Sequence, residues 1–147
     1  MKKGPAYKVI GHAEARKDGA EKVTGKALYT VDINLPGMAH GKILRSPYAH
    51  ARLTRVDASK AEGLAGVYAV VTREDQKNLR MFGAAYKDQT VVAVDKVRYA
   101  GDPVAAVAAV DEATAAAALE LIEVEYEELP AGTDLGEAFD AGAAVVE

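Results

Sequence analysis

Hydrophobic and polar positions alternate along much of this chain, and the breaks in that alternation divide it into elements. In "KALYTVDI" (26–33), Ala27, Tyr29, Val31 and Ile33 share one face and Lys26, Leu28, Thr30 and Asp32 the other, which predicts a strand. "NLPGM" ends it with the turn residues Asn34, Pro36 and Gly37. "HGKILR" (40–45) predicts a second strand. Ser46–Pro47 breaks it, because proline restricts the residue before it and offers no N–H. "ARLTRVD" (51–57) resumes as a third. In "DASKAEGLAG", Asp57 or Ser59 can cap a short helix and Gly63 or Gly66 can end it. "VYAVVT" (67–72) is strongly β-prone and predicts a buried strand.

The second half reads differently. "REDQKNLRMFGAAYKDQT" (73–90) has no period of either kind, so a long loop is expected there, as an interface element or a functional loop. "VVAVDKVRY" (91–99) returns to strand, and "AGDP" is a turn. "VAAVAAV" (104–110) fits two readings. Asp102 as N-cap and Pro103 at the first helical position would open a helix. Small and β-branched residues would equally suit a strand packed closely on both faces. Strand is preferred, because "DEATAAAALEL" beside it is the better helix: Asp111 as N-cap, Glu112 at the positive end, then a run of alanine. "IEVEYEELP" alternates again, with Ile122, Val124 and Tyr126 inward and Glu123, Glu125 and Glu127 outward, until Pro130. The expected class is α+β: mostly strands, two helices of unequal length and one long loop. Residues 1–24 form an irregular lead-in, the domain runs over 1–132, and 133–147 begin a linker.

Composition narrows the functions available. The 147 residues suit one domain, which at this length buries about 68–70% of its unfolded surface. A net charge of −4 argues against a nucleic-acid partner, which would require a basic face. With no cysteine there is no disulfide framework, no thiolate nucleophile and no cysteine-ligated cluster. That fits a reducing cytoplasm. The basic start lacks the apolar stretch of a signal peptide, and no apolar run approaches the roughly 20 residues of a membrane span.

No local motif carries chemistry. The histidines His12, His40 and His50 have no metal-ligand spacing among them. Ser46 precedes His50 in "RSPYAH", but no G-x-S-x-G frame surrounds it. Glu123, Glu125 and Glu127 form a like-charged strand face, which is solvated or meets a basic partner. Phosphate-binding glycine loops are absent. Catalytic, cofactor-binding and metal residues are therefore all expected to be none. Arg45, Ser46, Tyr48 and His50, in a polar turn without an evident local partner, remain as candidate interface residues. Arg45 and Arg52 could bind an acidic group, but surface or inter-domain ion pairs fit them better. Met81 and Phe82, within the long polar loop, either fold back onto the core or dock on a partner.

Two long blocks carry a family resemblance. The stretch from Asp18 to Asp75 ("DGAEKVTGKALYTVDINLPG…") and the stretch from Asp95 to Ala131 ("DKVRYAGDPVAAVAAVDEATAAAALELIEVEYEELPA") resemble the N-terminal α/β-hammerhead domain of the xanthine dehydrogenase/aldehyde oxidase family. The resemblance runs from about Lys8 to Ala131. It implies strand for "VAAVAAV". It implies a parent molybdenum-dependent oxidoreductase several times longer, acting on aromatic, heterocyclic or aldehyde substrates. That parent would use a molybdenum–pterin cofactor, two [2Fe–2S] clusters and often FAD on other domains or subunits. These, with the downstream molybdopterin-binding domains, are the expected partners. The family's glutamate base and pterin-binding loops lie in those downstream domains, so no catalytic residue transfers to this chain. Within the family, the wording of Asp18–Ala27 and Asp95–Ala115 is similar to the α subunit of 4-hydroxybenzoyl-CoA reductases. An independent assembly subunit of a split enzyme is the alternative reading.

Overall fold

A computed structural model describes residues 8–140, 142 and 143. The chain divides into two compact units at Pro36/Gly37.

Among its described residues the first unit holds one short helix, α1 (Gly19–Val23), and a 3₁₀ turn over Thr30–Asp32. The strand expected over 26–33 does not form. The Asp32 carboxylate accepts the Tyr29 backbone N–H at 2.9 Å, and the Asp32 N–H donates to the Tyr29 carbonyl, curling these residues into a tight turn. Leu28 and Val31 are left exposed.

The second unit carries two three-stranded antiparallel sheets. The first has the order β1 (His40–Arg45), β5 (Pro103–Ala109), β3 (Val67–Val71). The second has the order β4 (Lys96–Val97), β2 (Ala51–Asp57), β6 (Glu123–Glu128). "VAAVAAV" is thus a strand, central in its sheet. Its alanines and valines suit that place: Val104, Ala105, Val107 and Ala109 are all buried. The expected strand over 91–99 shrinks to Lys96–Val97. Its hydrogen bonds are divided between the sheets, with the Ala93 N–H donating to Pro103 O at 2.7 Å and the Leu53 N–H to Asp95 O at 2.8 Å. One continuous ladder therefore cannot form.

Both expected helices form, and two further short ones join them among the described residues. α2 (Ser59–Glu62) starts where the Asp57 carboxylate accepts from both the Ser59 N–H and its hydroxyl. Ser59 is the first helical residue rather than the cap. α3 (Arg73–Gln76) opens the long loop, and the Thr72 hydroxyl accepts the Glu74 N–H. α4 (Glu112–Glu120) is the long alanine helix, capped as expected by Asp111, which accepts the Thr114 N–H at 2.7 Å. Ala115 and Ala118 are its buried positions, and their small side chains let the helix lie close on β1 and β5. Gly66, at φ +92°, turns the chain from α2 into β3.

Two apolar clusters result. Ala58, Ala61, Ala105, Val107, Ala118 and Ile122 fill one; Ala51, Leu53, Ala93, Val97 and Val104 fill the other. Val56 and Val124, paired across β2 and β6, pack against both and join them.

Candidate inter-domain interface

The turn Arg45–His50 links the two sheets, and its bonds are local. The Ser46 N–H donates to Asp102 O at 2.9 Å, and the Gly101 N–H donates to Ser46 O at 2.8 Å. The Ser46 hydroxyl lies 3.1 Å from Tyr48 O and accepts the Tyr48 N–H at 3.0 Å, a side-chain turn typical of serine. The exposed Arg45 donates from Nη1 to Gly101 O at 2.8 Å. The turn is therefore not without local partners, as the sequence alone suggested: the "AGDP" turn that precedes β5 supplies them. Tyr48 packs on Tyr126 with ring centroids 4.9 Å apart and planes tilted by 47°. Burial pushes the Tyr126 phenol above its ordinary range.

His50 is 6% exposed, and its Nδ1 lies 2.8 Å from Pro130 O. The Leu129 N–H donates to His50 O at 3.0 Å, so this residue holds the chain at the end of β6 twice. Its Nε2 is buried with no hydrogen-bond partner. His50 Nδ1 faces Pro130 O and Nε2 has no partner, so no hydrogen bond joins the ring to the Ser46 hydroxyl.

Met81 and Phe82 do not fold onto the core. Phe82 is 49% exposed, while its backbone pairs with Gln89 in an isolated bridge. Phe82 forms one wall of a cleft of about 550 Å³ with Val91, Ala93, Tyr99, Asp88 and Arg98. The floor of this region is fixed by a residue the sequence did not single out. Gln76, 4% exposed, accepts the Val91 N–H at 2.7 Å and the Val92 N–H at 3.4 Å through Oε1.

The glutamate face of β6 meets basic residues of its own unit. Arg52 lies 3.3 Å from Glu127, and Arg55 lies 3.4 Å from Glu125. Lys60 pairs with Glu123. Residues 52 and 55 are three apart and would face opposite ways in a regular strand. The register shifts between Leu53 and Arg55, so Thr54 is an extra, bulged residue, and both arginines reach the acidic face. Arg73 holds this bulge, donating to Leu53 O at 2.8 Å and Thr54 O at 3.3 Å. The Glu125 hydrogen bond and the nearby Asp57 charge raise the Arg55 pKa further, and its Ser59 hydrogen bonds hold Asp57 below the ordinary carboxylate range. A bulge and the arginine that secures it have no period to reveal them in sequence.

The chain has no cysteine for an iron–sulfur cluster. Among the described residues no three His, Asp or Glu side chains converge as a metal site. No helix among them is long and apolar enough to cross a membrane.

The model of the "Aldehyde oxidase and xanthine dehydrogenase, a/b hammerhead domain" family matches residues 24–130. Over 117 residues the chain is 52% identical to a probable xanthine dehydrogenase subunit of Bacillus subtilis, covering 80% of this chain and 16% of that one. It is 41% identical to the carbon monoxide dehydrogenase large chain of Afipia carboxidovorans, covering 91% and 17%. Among solved structures, reconstituted CO dehydrogenase from Oligotropha carboxidovorans superposes with a TM-score of 0.81 at 41% identity, over 90% of this chain and 17% of that chain. Aldehyde oxidoreductase from Desulfovibrio gigas gives 0.76 at 32% identity, over 88% and 16%. The chain thus spans about a sixth of the length of these relatives. On the match over 24–130 and these identities, it belongs to the aldehyde oxidase and xanthine dehydrogenase family, as its a/b hammerhead domain.

Proposed function

We propose that this chain is the hammerhead domain of the large subunit of a molybdenum-dependent oxidoreductase, and that it serves there as a structural and assembly domain. The observation that carries this reading is the joint one: a family match over 24–130, and an alignment that covers only 16% of the Bacillus subtilis relative. The chemistry then lies outside these 147 residues, and residues 133–147 lead towards the molybdopterin-binding domains. The parent enzyme would use a molybdenum–pterin cofactor, with [2Fe–2S] clusters and FAD on other domains or subunits, in the cytoplasm. Its substrates would be aromatic, heterocyclic or aldehyde compounds. The wording of Asp18–Ala27 and Asp95–Ala115 makes 4-hydroxybenzoyl-CoA the first to try.

In this role the Arg45–His50 turn, with Met81 and Phe82, is the surface that seats the domain. Arg45, Tyr48, Met81 and Phe82 supply contact groups; the buried Ser46 and His50 give the turn its shape. The test is the mass, molybdenum and iron content of the protein purified from its natural source. A long chain with stoichiometric molybdenum, co-purifying with flavin and iron–sulfur subunits, supports the reading. A metal-free species of 15.5 kDa overturns it.

A further inference from the structure

His50 places a ring nitrogen where an apolar atom would be easier to bury. Its Nε2 is closed off from solvent and has no hydrogen-bond partner. Such an atom is destabilising, and in a folded protein it calls for a reason. The other ring nitrogen supplies one, because Nδ1 lies 2.8 Å from Pro130 O. β2 and β6 pair from Asp57 and Glu123 to Ala51 and Glu128, and the Leu129 N–H to His50 O carries the ladder one bond further. Pro130 has no N–H to continue it. The imidazole therefore adds a side-chain bond where the backbone ladder runs out. Residues 131–140 are exposed, and among the described residues their hydrogen bonds stay within that stretch, as from the Gly136 N–H to the Asp134 carboxylate and from the Ala138 N–H to Asp134 O. The bond to Pro130 is thus the last hold of the sheets on the described chain as it leaves β6. It is made by the residue that closes the Arg45–His50 turn.

We propose that His50 is a positioning residue: it fixes the direction in which the chain leaves the domain, so that the rest of the large subunit reaches the Arg45–His50 turn in one orientation. This rests on the reading above. A tethered partner binds at an effective concentration set by where its tether starts and how stiff it is. With the bond in place, the tether starts at Pro130, beside the turn. Without it, the start retreats along β6 and the exit swings. Breaking the bond frees the exit rather than the sheet, because Pro130 is exposed and its carbonyl can turn to water, while the ladder from Ala51 to Asp57 keeps its own bonds. The orphaned Nε2 is the consequence of placing an Nδ1 donor at this point.

Three variants of the full native subunit, purified in its complex, test this. His50→Asn keeps an N–H donor near the Nδ1 position, and His50→Leu fills the site without one. Two glycines inserted between Ala131 and Gly132 leave the bond intact and loosen the chain beyond it. The readouts are molybdenum per large subunit and amide exchange over 129–136, with β5 amides as the control for global unfolding. His50→Leu and the insertion should each lower molybdenum at least about threefold, and His50→Asn should stay close to wild type. The Leu129 amide should exchange faster in His50→Leu and stay slow in the insertion. Wild-type molybdenum in both His50→Leu and the insertion overturns the proposal. So does an equal loss in His50→Asn and His50→Leu, since the donor would then not matter. If His50→Leu fails to fold, the insertion decides, and wild-type molybdenum in it overturns the proposal. The mass of the wild-type protein separates the two readings. A long molybdenum-bearing subunit indifferent to these changes refutes the role of His50 alone; a free, metal-free 15.5 kDa species refutes both.

Discussion

His50 Nδ1 stands 2.8 Å from the carbonyl oxygen of Pro130, and because a carbonyl can only accept, the ring proton is on Nδ1. A buried imidazole in this tautomer joins the start of β2 to the end of β6, where the chain leaves the sheet. His50→Ala removes that bond and opens a cavity, with an expected loss of about 2 kcal/mol in urea denaturation. Amides near Leu129 should then exchange faster than those of β5. An unchanged midpoint would show that the bond contributes nothing.

The carboxylates of Asp57 and Asp111 are held below the ordinary aspartate value of 3.8, Asp57 by its bonds to Ser59 and Asp111 by its bond to the Thr114 N–H. A carboxyl with a lowered folded-state pKa adds stability above its unfolded value, and that stability is lost as pH falls through the lowered one. The chain should therefore weaken below about pH 4. Asp111→Asn should flatten part of that acid slope and leave the slope between about pH 5 and 7 unchanged. Thermal melts across this range provide the check.

Arg73 donates to the two carbonyls of the β2 bulge. Arg73→Ala leaves the largely buried Leu53 O without that donor and should cost about 1–2 kcal/mol. Arg73→Lys should recover only part of this, since an ammonium group cannot reproduce the guanidinium fork. Equal stability of all three proteins would dismiss the role.

Gln76→Ala should free the Val91 and Val92 N–H groups and loosen the loop beneath Met81 and Phe82. Limited proteolysis should then cut within 77–90 several-fold faster while β1 and β5 stay intact. Cutting at the wild-type rate would mean that other contacts hold the loop.

Gly66 sits at φ +92°, and a Cβ there would lie 3.0 Å from Val110 Cγ1. Gly66→Ala combines backbone strain with a tight contact and should destabilise by more than about 1 kcal/mol, read from the shift in urea midpoint.

What was legible in the sequence was legible for a physical reason. α4 and β6 follow one another with a cap, an alanine run and a clean alternation, and each local preference agrees with its final packing; β5 fitted two readings, and the better helix beside it decided for strand. The strand over 26–33 failed because alternation in "KALYTVDI" describes a face without supplying a partner, and the Asp32 carboxylate offered the Tyr29 N–H a closer bond. Residues 91–99 failed because their hydrogen bonds are divided between the two sheets. At the candidate interface, the sequence could not show that "AGDP" would come back to meet Arg45 and Ser46. Gln76 and Arg73 carried no pattern at all; only tertiary contact distinguishes them from any other polar loop residue.

The bulge at Thr54 makes this part of strand β2 one residue longer than the stretch of β6 it faces. Deleting Thr54 would leave Arg52 and Arg55 two residues apart, on one face of a regular strand, so their pairs with Glu127 and Glu125 should survive the loss. What would go is the local bend and one of the two carbonyls that Arg73 holds. Among related chains of this fold, a strand one residue shorter here should therefore dispense with the arginine at position 73 sooner than with those at 52 and 55.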